Sequence, residues 1–193
     1  MDALDERAKR IVDTAVALAE REGFAAVRLR DVAATANVAL GTVYKRFSSK
    51  EEILIAALEQ ESEKISDRLG KESIPGDTPA ERAKNLFTQF TRGMCRRPNL
   101  TKALVRAIAS GDPNITGRVA SFHAMLTGLT IAAIRGTPAN SPETWAETVE
   151  RDEREIASIL QQVWFSALLG WAGGIHEQGM IITYIDAAVD RLF

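Results

Sequence analysis

The sequence has very few of the residues that build redox or metal chemistry. Among its 193 residues there is one cysteine, Cys95, and there are two histidines, His123 and His176. A single thiol excludes an internal disulfide and a multi-cysteine metal site, and at a predicted helix end we interpret it as structural rather than oxidant-sensitive. The histidines are far apart, and neither has a cysteine or carboxylate at ligand spacing, so core or surface positions explain them. We therefore expect no catalytic site, metal or cofactor.

Long apolar runs and strand-like alternation are scarce as well. No apolar run reaches the length of about 20 residues that spans a bilayer, and the charged start MDALDERAKR is unlike a secretion signal. Most windows follow a helical period instead, and 46% hydrophobic with 26% charged residues is ordinary for a globular protein. These features predict an all-α protein that is cytoplasmic and has no membrane partner.

The net charge of −2 by itself argues against a nucleic-acid partner, so its distribution matters. Residues 1–50 hold nine basic and seven acidic residues, whereas residues 51–193 hold fifteen and nineteen. Within residues 24–50, five basic residues face only Asp31. A basic surface at one end of an acidic body is typical of a protein that touches phosphates with that end alone.

The helical period predicts nine helices. They span about residues 5–21, 30–35, 39–47, 50–69, 79–96, 100–110, 115–135, 143–172 and 181–193. Gly23 ends the first of them, Asn37 supplies a residue that tolerates positive φ, and Ser49 with Glu52 has the capping-box pattern at the start of the fourth. Pro98 is expected to break the chain, and GWAGG at 170–174 to end a helix, since no strand precedes it as a phosphate loop requires.

The segment 32–50, VAATANVALGTVYKRFSSK, predicts two short helices joined by a tight turn. On a helical wheel Ala39 and Phe47 fall beside Val43 on one apolar side, while Gly41, Tyr44 and Lys45 share the opposite side. A glycine at the centre of an exposed helix face lets the backbone approach a partner closely. A DNA major groove is such a partner.

This segment resembles the DNA-binding domain of the TetR family of helix-turn-helix regulators. The resemblance rests on the order of Asp31, Val32, Ala33, Ala36, Val38, Gly41, Thr42, Tyr44, Phe47, Ser49, Lys50 and Leu54. It implies a helix-turn-helix domain at residues 1–49 and a larger helical effector-binding and dimerisation domain at 50–193. It also implies contacts with an operator in double-stranded DNA by Arg28, Arg30, Leu40, Gly41, Thr42, Tyr44, Lys45 and Lys50.

The chain departs from the family pattern at the start of the second helix and on the recognition helix. Arg28 replaces the usual Ser or Thr cap, a loss of about 1 kcal/mol, although its guanidinium can itself reach a phosphate. Ala39 and Leu40 stand where many relatives have polar side chains. We therefore expect few direct hydrogen bonds to bases, and more reliance on apolar contacts, phosphate contacts and DNA shape.

In TetR-like regulators the carboxyl-terminal domain encloses an effector, so some apolar residues of the middle helices are expected to line a pocket, although a core role explains each of them singly. The candidates are Phe87, Phe90, Met94, Leu104, Phe122, Met125, Leu126, Trp164, Phe165 and Leu168. The segments TKALVRAIASGD and VWFSALLGW are similar to actinobacterial sterol-catabolism repressors of the family. That likeness implies an apolar or acyl-CoA-like effector, with Arg97, Lys102 or Arg106 facing its anionic part.

The last two predicted helices carry apolar residues beside their core stripes, which favours a four-helix homodimer contact, as the resemblance also does. The sequence thus predicts a ligand-responsive transcriptional regulator, a repressor rather than an enzyme. The alternative is a small-molecule-binding or enzymatic helical protein whose three-helix head does not bind DNA. Effector, operator, regulated genes, sign of regulation and the number of dimers on one operator stay open.

Overall fold

The computed structural model describes residues 3–69, 71–139 and 150–193, and the secondary structure of this part is helical without strands. The predicted all-α class is confirmed. The α-helices are α1 Ala3–Glu22, α2 Leu29–Thr35, α3 Leu40–Tyr44, α4 Lys50–Leu69, α5 Pro79–Cys95, α6 Pro98–Ile108, α7 Thr116–Arg135, α8 Arg151–Ala172 and α9 Gly179–Leu192. Short 3₁₀ helices at Phe24–Ala26 and Pro113–Ile115 precede α2 and α7.

Most predicted helix bounds agree with the structure to within two residues, and α4 has the predicted bounds. Two differences have local causes. Helix α6 begins at Pro98 instead of Leu100, because proline in the first turn loses no intrahelical hydrogen bond. Helix α3 ends at Tyr44, and a turn continues to Phe47. The predicted start of α8 at about residue 143 lies outside the described residues.

Three helix ends that the sequence analysis singled out have the expected backbone or capping features. Asn37 has φ of 52°, as expected for the turn between α2 and α3. Arg28 is the N-cap of α2 and makes no side-chain capping bond, as its replacement of Ser or Thr predicts. The GWAGG segment does end a helix, since Gly173 caps α8 and Gly174 has φ of 79°.

Contacts between Cα atoms divide the chain into two compact units. The first, here called the head unit, comprises Met1–Glu61 and Arg97–Val119, and the second, the body unit, comprises Ser62–Arg96 and Ala120–Phe193. In the head unit α1 packs against α2 and α6, and α2 packs against α3. In the body unit α9 packs against α5 and α8. The functional boundary between residues 49 and 50 stays a prediction.

Helix α7 is a long helix whose side chains are mostly apolar. Over Pro113–Arg135 it is long and apolar enough to cross a membrane, with a mean hydropathy of 1.2, but half of this window is buried inside the protein. Arg118 and His123 also lie on it. These features are typical of a core helix.

In the body unit, a salt bridge links α7 to the first turn of α8. Arg135 Nε lies 2.8 Å from Glu153 Oε1, and both side chains are less than one-fifth exposed. These hydrogen bonds hold the pKa of Glu153 below its ordinary value. A carboxylate of this kind stabilises the fold at neutral pH, and its contribution is lost as the pH falls through the lowered pKa.

Arg82 on α5 closes the carboxyl end of α7. Its guanidinium donates to the carbonyl oxygens of Ala133 at 2.7 Å, Ile134 at 2.8 Å and Gly76 at 3.1 Å. Carbonyls at the end of a helix have no intrahelical partner, so a cation there satisfies both the hydrogen bonds and the helix dipole. Gly136 lies against the same guanidinium and has φ of 72°. A Cβ added at Gly136 would lie only 3.2 Å from Arg82 Cζ.

Arg82→Met is expected to lower the free energy of unfolding by about 2–4 kcal/mol, because three carbonyls lose a charged donor. Arg92→Met removes a solvent-exposed arginine from the same helix and is expected to change stability by less than about 0.5 kcal/mol. Urea denaturation of both variants measures the difference. Equal stability of the two variants would contradict the role given to Arg82.

Candidate nucleic-acid interface and effector site

The inner side of the helix pair α2 and α3 is an apolar layer. Val32 is fully buried, Ala33 is 4% exposed and Ala36 is 7% exposed, and all three lie on α2 or at its end. Val43 of α3 is fully buried, and Phe47, in the turn after α3, is 7% exposed. This layer holds α3 against α2 and leaves the opposite side of α3 uncovered.

The outer side of α3 is exposed. Tyr44 is 59% and Leu40 is 37% exposed, Gly41 and Lys45 are also exposed, and Thr42 is half-buried. The wheel expectation for Ala39 is wrong. Ala39 is the N-cap of α3, with extended backbone angles of −65° and 141°, so helical spacing does not apply to it and its side chain is exposed.

The helix-turn-helix segment carries cations on α2, at the end of α3 and at the start of α4. Arg28, Arg30, Lys45 and Arg46 are exposed, and Lys50 is half-buried. In the described part of the chain, none of the five pairs with a carboxylate. Elsewhere the protein does pair its arginines, for example Arg135 with Glu153. The positive charge near α3 is therefore available to an external anion.

The start of α4, which carries Lys50, is held by side-chain hydrogen bonds. Ser49 Oγ accepts from the Glu52 backbone N–H at 3.1 Å, as the capping-box pattern predicts. The Glu52 carboxylate instead accepts from the backbone N–H and the hydroxyl of Ser48, at 2.6 Å and 2.9 Å. Ser49 Oγ also donates to Asp112 Oδ2 at 3.1 Å, which ties this helix start to the loop before α7.

Arg118, on the first turn of α7, adds a second connection to α4. Its Nε donates to Glu59 Oε1 at 2.7 Å, and its second terminal nitrogen donates to the other Glu59 oxygen. The remaining nitrogen donates to the Glu52 carbonyl oxygen at 3.3 Å. Residues far along the chain therefore complete the head unit.

Most predicted effector residues lie in the body unit, with five of them almost fully buried. Phe87, Leu126, Trp164 and Leu168 are each 1% exposed and Phe90 is 2% exposed. Phe122 is 7% exposed, and Met94, Met125 and Phe165 are half-buried. Leu104 is buried as well, but it belongs to the head unit, so the contacts do not group it with the other nine.

Trp164 is the centre of the aromatic part of this set. The ring centroids of Phe87 and Phe90 both lie 5.9 Å from that of Trp164, at tilted and edge-on angles. The indole N–H donates to Thr91 Oγ1 at 2.9 Å, which satisfies the single polar group of the ring. Three of the predicted residues are thus brought together around one hydrogen bond.

A polar network between α7 and α8 was not predicted. Gln161 is 4% exposed, and its amide nitrogen donates to Thr127 Oγ1 at 2.7 Å and to the His123 carbonyl oxygen at 3.2 Å. Its oxygen then faces His123 Nδ1 at 3.3 Å and must accept, so Nδ1 carries the proton. A glutamine between Leu160 and Trp164, inside an apolar stripe, is the sequence signal for this network.

The predicted anion partners and the thiol also have defined surroundings. Arg97 pairs with Glu20 at 2.6 Å and lies 3.7 Å from Glu61, all within the head unit. Arg106 belongs to the same unit and is exposed. Burial raises the pKa of Cys95 to about 11, so this thiol is scarcely ionised at neutral pH. That agrees with a structural role.

The two carboxyl-terminal helices expose apolar side chains beside their buried stripes. Ile159 and Leu169 of α8 are 45% and 44% exposed, Tyr184 of α9 is 43% exposed, and Ile175 between the helices is 82% exposed. Phe193 is 49% exposed. Apart from Leu40 and Tyr44, these five are the large apolar side chains that the described part of the chain exposes.

A groove of about 710 Å³ runs between α8 and α9 on this side. Its floor contains the small residues Ser166, Ala167, Gly170 and Ala187. His176 packs on Gly170 so closely that a Cβ there would lie 2.5 Å from His176 Nε2. Small residues in a groove flanked by exposed apolar side chains allow another helix to approach closely.

No group of three or more potential metal ligands occurs within residues 3–69, 71–139 and 150–193. His123 bonds to Gln161 and His176 to the Glu177 carbonyl oxygen, neither in a catalytic arrangement.

Comparisons with known proteins match both parts of the chain. Residues 11–57 match bacterial regulatory proteins of the tetR family, and residues 76–192 match the tetracyclin repressor-like C-terminal domain. The HTH-type transcriptional repressor KstR of Rhodococcus jostii is 38% identical over 170 residues, covering 88% of this chain and 74% of that protein. The resemblance to sterol-catabolism repressors is thereby confirmed.

Solved structures agree on the fold. A TetR transcriptional regulator from Rhodococcus sp. RHA1 has a TM-score of 0.80 at 24% identity, covering 99% of this chain and 97% of that one. The regulator FadR from Bacillus subtilis, in complex with stearoyl-CoA, has a TM-score of 0.65 at 16% identity, covering 95% and 96%. With an exposed α3 and family matches over residues 11–57 and 76–192, the chain belongs to the TetR family of bacterial transcriptional regulators.

Proposed function

We propose that the protein is a cytoplasmic homodimeric repressor that leaves a palindromic operator when an apolar or acyl-CoA-like effector binds. Residues 1–49 would form the DNA-binding domain, and residues 50–193 the effector-binding and dimerisation domain. The supporting observation is the group of five cations on α2, at the end of α3 and at the start of α4, none paired with a carboxylate in the described part of the chain, on the same segment as the exposed outer side of α3. Such a surface has an unfavourable self-energy that a DNA backbone relieves.

The residue roles follow from exposure and side-chain chemistry. Thr42, Tyr44 and Lys50 contact phosphates, and Arg28 and Arg30 add charge on the α2 side. Leu40 and Lys45 touch base edges, with Leu40 suited to a thymine methyl group. Since Leu40 cannot form hydrogen bonds, much of the specificity comes from apolar contact and DNA shape.

Lys50→Ala is expected to weaken binding to the DNA upstream of the protein's own gene and to random DNA alike, because phosphates carry no sequence information. The slope of log K against log salt concentration is expected to become less steep by about 1, because one phosphate contact is lost. Lys45→Ala is expected to cost about 1–3 kcal/mol on the operator and less on random DNA. Fluorescence anisotropy at several salt concentrations measures both quantities.

Wild-type protein that binds neither fragment would favour a helical small-molecule-binding or enzymatic protein instead. Identical losses on both fragments for the two variants would overturn the division of roles between Lys45 and Lys50.

Gly41→Ala tests whether the backbone of α3 approaches DNA closely. A Cβ at Gly41 has nothing within 4 Å in the free protein, and alanine gains up to about 1 kcal/mol of helix propensity. Thermal stability should therefore be unchanged or higher, while operator affinity falls by about 10-fold or more, equivalent to about 1.4 kcal/mol.

Gly93→Ala is the matched control, since Gly93 lies on α5 and also has nothing within 4 Å of its Cβ position. It should leave operator affinity unchanged. Full affinity of Gly41→Ala would exclude close approach at this residue.

We also propose that the dimer forms through α8 and α9. The exposed Ile159, Leu169 and Tyr184 beside the small-residue groove support this assignment. Two helices from each subunit form a four-helix contact, and the resulting two-fold symmetry matches a palindromic operator, with recognition helices about 34 Å apart or somewhat more.

Leu169→Glu is expected to shift the protein to monomers, because a charge would be buried in the contact. Leu40→Glu places the same side chain on α3, where the leucine is similarly exposed, and should leave the dimer intact while operator binding falls. Sedimentation velocity at micromolar concentration measures the first effect. A Leu169→Glu protein that remains dimeric would place the contact elsewhere.

The effector proposal rests on the aromatic and methionine side chains of the body unit. Flexible Met94 and Met125 and the half-buried Phe165 suit the walls of an apolar ligand site. FadR from Bacillus subtilis, a fold neighbour, was crystallised with stearoyl-CoA. Effector and operator affinities must be coupled reciprocally if the ligand releases the DNA.

An acyl-CoA or a steroid acid is expected to raise the denaturation free energy by about 2.7 kcal/mol at 100 times its Kd, and to release the operator. Phe165→Ala should reduce this shift. Leu100→Ala truncates a buried residue of the head unit and should lower stability without reducing the shift. Free coenzyme A controls for the nucleotide part, and no shift with any acyl-CoA or steroid acid at saturation would contradict this effector class.

A further inference from the structure

Two cations from distant parts of the chain lie over the aromatic ring of Phe24. Phe24 opens the 3₁₀ helix before α2 and is half-buried. Lys50 Nζ, from the first residue of α4, lies 3.8 Å from the ring centroid. Arg106 Cζ, from the last turn of α6, lies 5.1 Å from the same centroid. All three residues belong to the head unit.

The two cations lack an acidic partner. Their separation cannot exceed the sum of their distances to the ring centre, and in the described part of the chain neither pairs with a carboxylate. The Asp112 carboxylate bonds to Ser49 and Asn114 and is paired with neither cation. Two positive charges that lie over the same ring repel each other. The negative face of the ring offsets only part of that repulsion.

The arginines that flank Arg106 in sequence do have carboxylate partners. Arg97, on the residue before α6, bonds to Glu20, and Arg118, on α7, bonds to Glu59. Arg106 lies between them in sequence, is exposed, and lies over an aromatic ring, with no carboxylate partner among the described residues. A pair of cations that a ring positions and no carboxylate neutralises is suited to an external phosphate, which can accept hydrogen bonds from both.

We propose that Arg106 contacts a phosphate of the DNA backbone beside the one held by Lys50, with Phe24 as the positioning residue for both cations. This inference rests on the proposed function, because it takes the phosphate to be that of the operator. It extends the DNA-binding surface to α6, outside the helix-turn-helix. A phosphate of an acyl-CoA effector has the same chemistry, and the sequence analysis considered Arg106 for that role. DNA is favoured because Arg106 shares its ring with Lys50, at the end of the segment that contains Lys45 and Arg46.

The test uses full-length protein and anisotropy with the upstream fragment and a random fragment. Arg106→Gln is expected to weaken both by about 3- to 10-fold at 50 mM salt and to reduce the salt slope by about 1. Arg106→Lys should keep the slope. Phe24→Leu should lower the affinity for DNA and reduce the salt dependence of binding. Phe24→Tyr keeps the aromatic ring and should leave both quantities unchanged. Arg92→Gln removes an exposed arginine of the body unit and should change nothing.

Thermal midpoints of the Arg106 and Arg92 variants should agree with the wild type within a few degrees, since both arginines are on the surface. An unchanged slope for Arg106→Gln, with wild-type protein binding normally, overturns this inference and leaves the proposed function intact. Loss of the acyl-CoA response with unaltered DNA binding also overturns it, in favour of the effector phosphate. Wild-type protein that binds neither fragment overturns the proposed function and this assignment together.

Discussion

The burial of Val43 is the contact on which the nucleic-acid surface depends. Helix α3 has only five residues and no side-chain cap, and a helix of that length has no stability of its own in water. Its position is therefore set by the apolar layer that Val43 and Phe47 form with α2. This buried layer keeps the exposed Leu40, Gly41 and Tyr44 in place.

The protein uses its cations in two ways. Arg82, Arg118 and Arg135 bond to carbonyls or carboxylates and hold helices together within their own unit. Among the described residues, those of the segment 28–50 have no carboxylate partner, so their charge is not neutralised within the protein. A net charge of −2 conceals this division, because residues 1–50 carry an excess of basic residues and residues 51–193 an excess of acidic ones. Distribution and pairing, rather than net charge, identify the phosphate-facing end.

Features determined by neighbours in sequence could be predicted, and features determined by distant contacts could not. The bounds of α4, the positive φ of Asn37 and the missing cap at Arg28 depend on local backbone chemistry. The assignment of Leu104 to the head unit, the bond from Ser49 to Asp112 and the Gln161 network all join elements more than 30 residues apart. Periodicity marks a face as apolar or polar but does not name its partner. The roles of the DNA-contacting and effector-lining residues stay predictions for the same reason.

Helix α6 and the loop after it pack with the head unit, and this limits how such regulators can be recombined. A chimera that joins a foreign head at residue 50 would keep the Arg97 and Asp112 of one parent beside the α1 and Ser49 positions of the other. The bonds of Arg97 to Glu20 and of Ser49 to Asp112 would then depend on chance agreement between the parents. The exchangeable piece is discontinuous, Met1–Glu61 together with Arg97–Val119, so a transplanted head needs a segment from the middle of its own chain.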